Sequence, residues 1–129
     1  MKYMKVLLSI KPEFVKEIVN GNKKYEYRKL IFKRDDISTV VVYATKPYGK
    51  VVGEFEIDNI ISDSPSVIWE KTKKYAGTSK QFYNEYFEGR DQAFAIKIKS
   101  FKMFEEPLTL QEFDKNIKAA PQSFCYIGV

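Results

Sequence analysis

The stretch Lys5–Lys29, KVLLSIKPEFVKEIVNGNKKYEYRK, decides how this chain folds. Lys5–Ile10 is a short, mostly apolar run of strand length. Lys11-Pro12 then opens a helix, because proline near the first turn lacks only an N–H that has no partner there. Phe14 and Ile18, with Val15 and Val19, recur at helical spacing, and Asn20-Gly21 ends the helix by supplying a left-handed residue. Lys23–Lys29 alternates and is rich in tyrosine, the pattern of a second strand. A helix between two strands covers a sheet.

Outward from this unit the same signals repeat. Asp35-Asp36 marks a turn before Thr39–Thr45, a β-branched run that predicts a buried strand. Lys46-Pro47-Tyr48-Gly49 reads as a turn, and Lys50–Ile61 as a long strand in which Gly53 marks a bulge or a corner. Ser66–Lys74 and Ser79–Phe87 read as two short helices, a helical insertion at about residues 64–90. In the second, Phe82, Tyr83, Tyr86 and Phe87 form one apolar face. A base-stacking platform and a core face share that spacing, and core packing is the better reading because a short helix needs a buried face to be stable. Asp91–Phe104 alternates and is expected to pair at the centre of the sheet. Leu108–Phe113 gives a connection or short helix, and Phe124–Ile127 a closing strand. The expected fold is α+β: a small mixed β-barrel of five to six strands with covering helices, forming a single domain over residues 1–129.

Composition narrows the chemistry. With 129 residues, 44% apolar and 30% charged, the chain suits one soluble domain. It contains no histidine, which removes Ser-His-Asp triads, Cys-His dyads and imidazole metal sites within it. The single Cys125 rules out an internal disulfide and points to a reducing compartment. Beside Phe124 and Tyr126 it reads as a small buried hydrophobe. No metal site and no cofactor are expected, and Asp35, Asp36 and Asp58 read as turn and surface residues. Met1–Ser9 has too short an apolar run for a signal peptide, and no window is long enough to span a membrane, so a cytoplasmic protein is expected.

The net charge of +5 is unevenly placed. Residues 1–50 hold 12 Lys/Arg and 5 Asp/Glu, a balance of +7; residues 51–129 hold 10 Lys/Arg and 12 Asp/Glu, a balance of −2. A one-sided basic field attracts polyanions, of which nucleic acid is the commonest in a cytoplasm. The densest polar constellation, Gly21–Lys29, lies in the basic half. On a strand, Lys24, Glu26 and Arg28 share one face and Tyr25 and Tyr27 the other, while the long stem of Lys23 can bend to either side. The same spacing also fits an edge strand protected by charge.

The order Leu8-Ser9-Ile10-Lys11-Pro12, a short helix, then Gly21-x-Lys23-x-x-Glu26-x-Arg28 resembles the ASCH domain family, whose fold is a PUA-like β-barrel. Tyr43-Ala44-Thr45-Lys46-Pro47 with Gly53-Glu54-Phe55, and the tail Pro121–Ile127, extend the resemblance over most of the chain, in the manner of a bacterial and archaeal subgroup. It implies a cleft lined by Lys23, Glu26 and Arg28, with Ser9, Lys11, Tyr43, Thr45 and Lys46 near its rim, in a superfamily associated with RNA. Lysine and arginine can neutralise phosphate, Glu26 can accept hydrogen bonds from a base edge or simply hold Arg28 in its rotamer, and Tyr25, Tyr43 or Tyr48 are stacking candidates.

Three functions follow from charge, motif and resemblance. The first is an RNA- or nucleotide-binding module with a basic cleft, in RNA metabolism or the regulation of gene expression. The second is a small hydrolase, an amidohydrolase or ribonuclease, with Lys23 and Glu26 as catalytic candidates. The hydrolase branch of the family has a threonine nucleophile where this chain has Glu26. The third is a protein-interaction or transcription coregulator module, with a protein as partner. No oligomeric state can be read from the sequence.

Overall fold

The computed structural model describes residues 4–128, so Met1–Tyr3 and Val129 of the expected domain lie outside the described residues. Among the described residues, six strands make one sheet in the order β2-β5-β4-β3-β1-β6. They are β1 (Met4–Ile10), β2 (Tyr25–Arg28), β3 (Thr39–Ala44), β4 (Lys50–Asp63), β5 (Ala93–Leu108) and β6 (Phe124–Gly128). The β1–β3 pair is parallel and the other four pairs are antiparallel. Four α-helices accompany them among the described residues: α1 (Pro12–Val19), α2 (Pro65–Thr72), α3 (Lys80–Tyr86) and α4 (Leu110–Phe113). The α+β class and the six strands agree with the sequence expectation.

Residue types explain the order. Pro12 is the first residue of α1, and Gly21 follows its C-cap at φ +86°, a conformation that favours glycine. In β3, Val40, Val42 and Ala44 enter one core while Val41 and Tyr43 enter another on the opposite face. Covered on both sides, that strand is a continuous β-branched run. The long β4–β5 ladder shifts register near Gly53 and again near Ile57, as a bulge at Gly53 predicts. A Cβ added at Gly53 would stand 2.4 Å from the Lys102 carbonyl oxygen, so the strands approach where only glycine fits.

Two expectations need correction. The sheet is not closed into a barrel: β2 and β6 are its two ends. The bulges curl it enough that Arg28 of β2 reaches across to the Ser9 carbonyl of β1 and the Ser123 carbonyl before β6. Side-chain hydrogen bonds cross this seam where a ladder would have closed a barrel. Second, β5 is interior but not central; β4 and β3 occupy the middle positions.

The expected helical insertion is the tip of the β4–β5 hairpin, for Asp63 pairs with Ala93 at its base. It holds α2, a 3-10 turn over Lys73–Tyr75 and α3. Ser64 and Ser79 accept from the backbone N–H groups of Val67 and Phe82, capping the two helices. Its aromatic core joins Ile68, Tyr83 and Phe87 to Tyr27, Ala93 and Ala95 of the sheet. The Lys24 N–H donates to the Tyr75 carbonyl, and Lys23 bridges Ala76, which fastens the insertion to the entrance of β2. Among the described residues no helix is long and apolar enough to cross a membrane.

Candidate nucleic-acid interface

Lys23, Glu26 and Arg28 are buried, at 3%, 5% and 9% exposure, yet all three line a cavity of about 350 Å3. Alternation along β2 sends Glu26 and Arg28 to this face. Lys23 joins them, and Lys24 does not: the backbone is irregular between the bridge at Lys23 and the start of β2. Lys24 is exposed, its ammonium 4.2 Å from the centre of the Tyr75 ring. Strict alternation therefore does not account for the lining, since Lys23 and Tyr27, which it puts off the face of Glu26 and Arg28, line the cavity with them.

The three charges play different parts. Arg28 spends its fork on the protein, with Nη2 donating to the Ser123 carbonyl at 2.7 Å and Nη1 to Glu26 Oε2 at 3.2 Å and the Ser9 carbonyl at 3.3 Å. It holds the seam and fixes the Glu26 carboxylate. Lys23 Nζ donates to the Ala76 carbonyl at 2.9 Å and stands 4.0 Å from Glu26 Oε1, beyond hydrogen-bonding distance. Its ammonium also lies 4.7 Å from the centre of the Tyr27 ring and 5.2 Å from that of Phe14. Burial pulls the Lys23 pKa below the ordinary lysine value, and the negative charge of Glu26 opposes that shift. A donor and an acceptor, each with capacity left, thus sit side by side on the cavity floor.

The walls are partly aromatic. Phe14, Tyr27, Phe82, Tyr83 and Tyr86 line the cavity with Ile10, and its polar edge is Ser9, Lys11, Thr45, Thr78 and Gln122. Ser9, Lys11 and Thr45 are thus among the residues lining the cavity. Tyr43 and Lys46 do not line the cavity. Tyr43 faces the opposite side of β3, packed with Leu7, Val51 and Leu110, and Lys46 is exposed in the turn beyond Thr45. The proposed stacking residues Tyr25 and Tyr48 are also elsewhere, one against the insertion core and the other exposed beside Val19 and Met103. The aromatic face of α3 divides. Tyr83 and Phe87 are buried as a core reading requires, whereas half-buried Phe82 and Tyr86 form cavity wall. The i, i+4 spacing was the available signal for these two residues; Phe14, Thr78 and Gln122 had none.

The family model described as the ASCH domain matches residues 8–108. This chain belongs to the ASCH domain family. Among similar proteins, an ASCH domain-containing ribonuclease of Zymomonas mobilis is 31% identical over 124 residues, 94% of this chain and 82% of that protein. The crystal structure of ASCH from Zymomonas mobilis superposes on this ASCH domain with a TM-score of 0.85 at 30% identity, covering 95% of this chain and 87% of that one. The large ribosomal subunit protein uL22 of Ureaplasma parvum is 38% identical over 88 residues, 68% of this chain. The ASCH domain spans only 28% of that ribosomal relative's length. Among the described residues, no group of three or more Cys, Asp or Glu side chains is arranged to hold a metal ion.

Proposed function

We propose that this ASCH domain binds RNA, or a nucleotide of it, in the cavity between β2 and the insertion. The observation that carries the reading is the trio of charged side chains buried at the floor of a ligand-sized hollow. Burying charge is costly, and apolar residues of similar volume usually serve a fold as well or better. Lys23 and Glu26 Oε1 offer a donor beside an acceptor, the arrangement that a base edge complements. Lys11, Ser9 and Thr45 stand at the rim, and the basic half of the chain draws a polyanion toward it. A relative named as a ribonuclease adds weight to RNA over other anions.

Titration of labelled single-stranded RNA, followed by fluorescence anisotropy, tests this. Affinity is expected to fall as salt rises, because each phosphate contact displaces counterions. Lys23→Ala and Arg28→Ala are expected to weaken binding more than Lys97→Ala, whose side chain pairs with Asp58 on the surface. Failure of both single-stranded and structured RNA to bind at low salt would sink the reading.

One observation favours a second reading, hydrolysis. A lysine whose pKa is lowered by burial, beside a carboxylate, can carry a proton nearer neutral pH than an exposed one. Incubating the wild type and Lys23→Ala with labelled RNA and with acetylated cytidine decides it; absence of turnover by the wild type leaves binding alone.

A further inference from the structure

Phe82 and Tyr86 stand one helical turn apart on α3, and each carries a lysine over its ring. Lys11 Nζ is 5.0 Å from the centre of the Phe82 ring, and Lys29 Nζ is 4.6 Å from that of Tyr86. Lys11, at the entrance of α1, lines the cavity. Lys29, just beyond the end of β2, stands over Tyr86 from outside the cavity lining, so two separate elements bring cations to these rings. Both rings are held by a second ring, Phe82 by Phe14 at 5.2 Å and Tyr86 by Phe87 at 4.8 Å, each edge to face. Glu26 and Arg28 line the same cavity. The cavity, about 350 Å3, falls at the small end of the ~300–1,000 Å3 range of ligand pockets. That volume suits a ligand of nucleotide size.

We propose that the cavity receives one unpaired base of a single-stranded RNA, stacked on the Phe82–Tyr86 wall. Lys11 and Lys29 then leave those rings to hold the phosphates on either side of the base. The inference rests on the RNA reading above. A partly exposed lysine over an aromatic ring is weakly held, so a stacked base and a phosphate together displace it readily. The path also explains why the wall offers π-faces at the same place as cations: a single strand supplies a base and phosphates at every step.

The test uses short single-stranded RNA with 2-aminopurine at its centre. Stacking in the cavity is expected to change its fluorescence on binding. Phe82→Leu and Tyr86→Leu, which keep apolar bulk but remove the ring, are each expected to abolish that change and weaken binding roughly 5- to 150-fold, the range of base–aromatic stacking. Lys11→Ala and Lys29→Ala are each expected to lower the slope of log affinity against log salt by about 0.7, the value for one phosphate contact on a single strand. Circular dichroism and urea unfolding check that the variants fold. A duplex of the same sequence is expected to bind more weakly. RNA that binds with unchanged fluorescence, or with unchanged salt slopes in both lysine variants, overturns this inference and leaves RNA binding standing; no binding at all overturns both.

Discussion

At Lys23 two forces oppose each other. Desolvation of a side chain only 2% exposed favours the neutral amine, and Glu26 favours the cation. Glu26→Gln removes the second force alone, so the Lys23 pKa is expected to fall further, as read by NMR of a carbon-13-labelled methylated lysine. An unchanged value would mean that the Glu26 charge does not act on Lys23. The sign for stability follows. The unfolded chain keeps its lysine proton to about pH 10.5 while the folded one releases it earlier. Across that interval stability is expected to increase with pH, and this contribution should vanish in Lys23→Met. The motif residues were legible in the sequence as a charged cluster. Their division of labour was not, because the Ala76 and Ser123 carbonyls come from 53 and 95 residues away.

The insertion supplies one wall of the cavity, and one glycine fits it to Lys23. Gly77 has φ +66°, and a Cβ there would fall 2.3 Å from the Cβ of Lys23. Gly77→Ala is therefore expected to cost more than the ~1 kcal/mol of a positive-φ replacement in open space, and to weaken RNA binding by shifting Lys23. Gly21→Ala is the control: φ is +86° with nothing within 4 Å, so stability falls by about 1 kcal/mol and binding is unaffected. Urea unfolding and anisotropy on the two variants separate these effects. Helix positions of the insertion were legible from local pattern. The double use of α3 was not, because periodicity marks an apolar face without saying whether it meets side chains or an empty hollow.

Over the whole molecule, the open seam depends on Arg28. Arg28→Lys keeps the charge but cannot reproduce a fork that meets carbonyls from two strands' ends and a carboxylate. A loss of about 2 kcal/mol is expected in urea unfolding. A second global effect lies at alkaline pH. Burial raises the Tyr27 phenol to about 12, partly offset by its hydrogen bond with Thr72 Oγ1, and burial pushes Tyr83 and Tyr86 upward as well. Because the unfolded phenol ionises near pH 10, its contribution is complete below that pH and is lost as pH rises through about 12. Tyr27→Phe is expected to flatten the fall in urea midpoint between those values. The sequence by itself determined the element order, the turns, the α+β class and the family, since these are written in periods, caps and motif spacing along neighbouring residues. Only the tertiary structure decided that the sheet stays open, that Tyr43 turns away from the cavity and that Phe82 and Tyr86 face it. Those outcomes depend on how bulged strands curl and on which distant surfaces remain uncovered, and neither is a property of any local stretch.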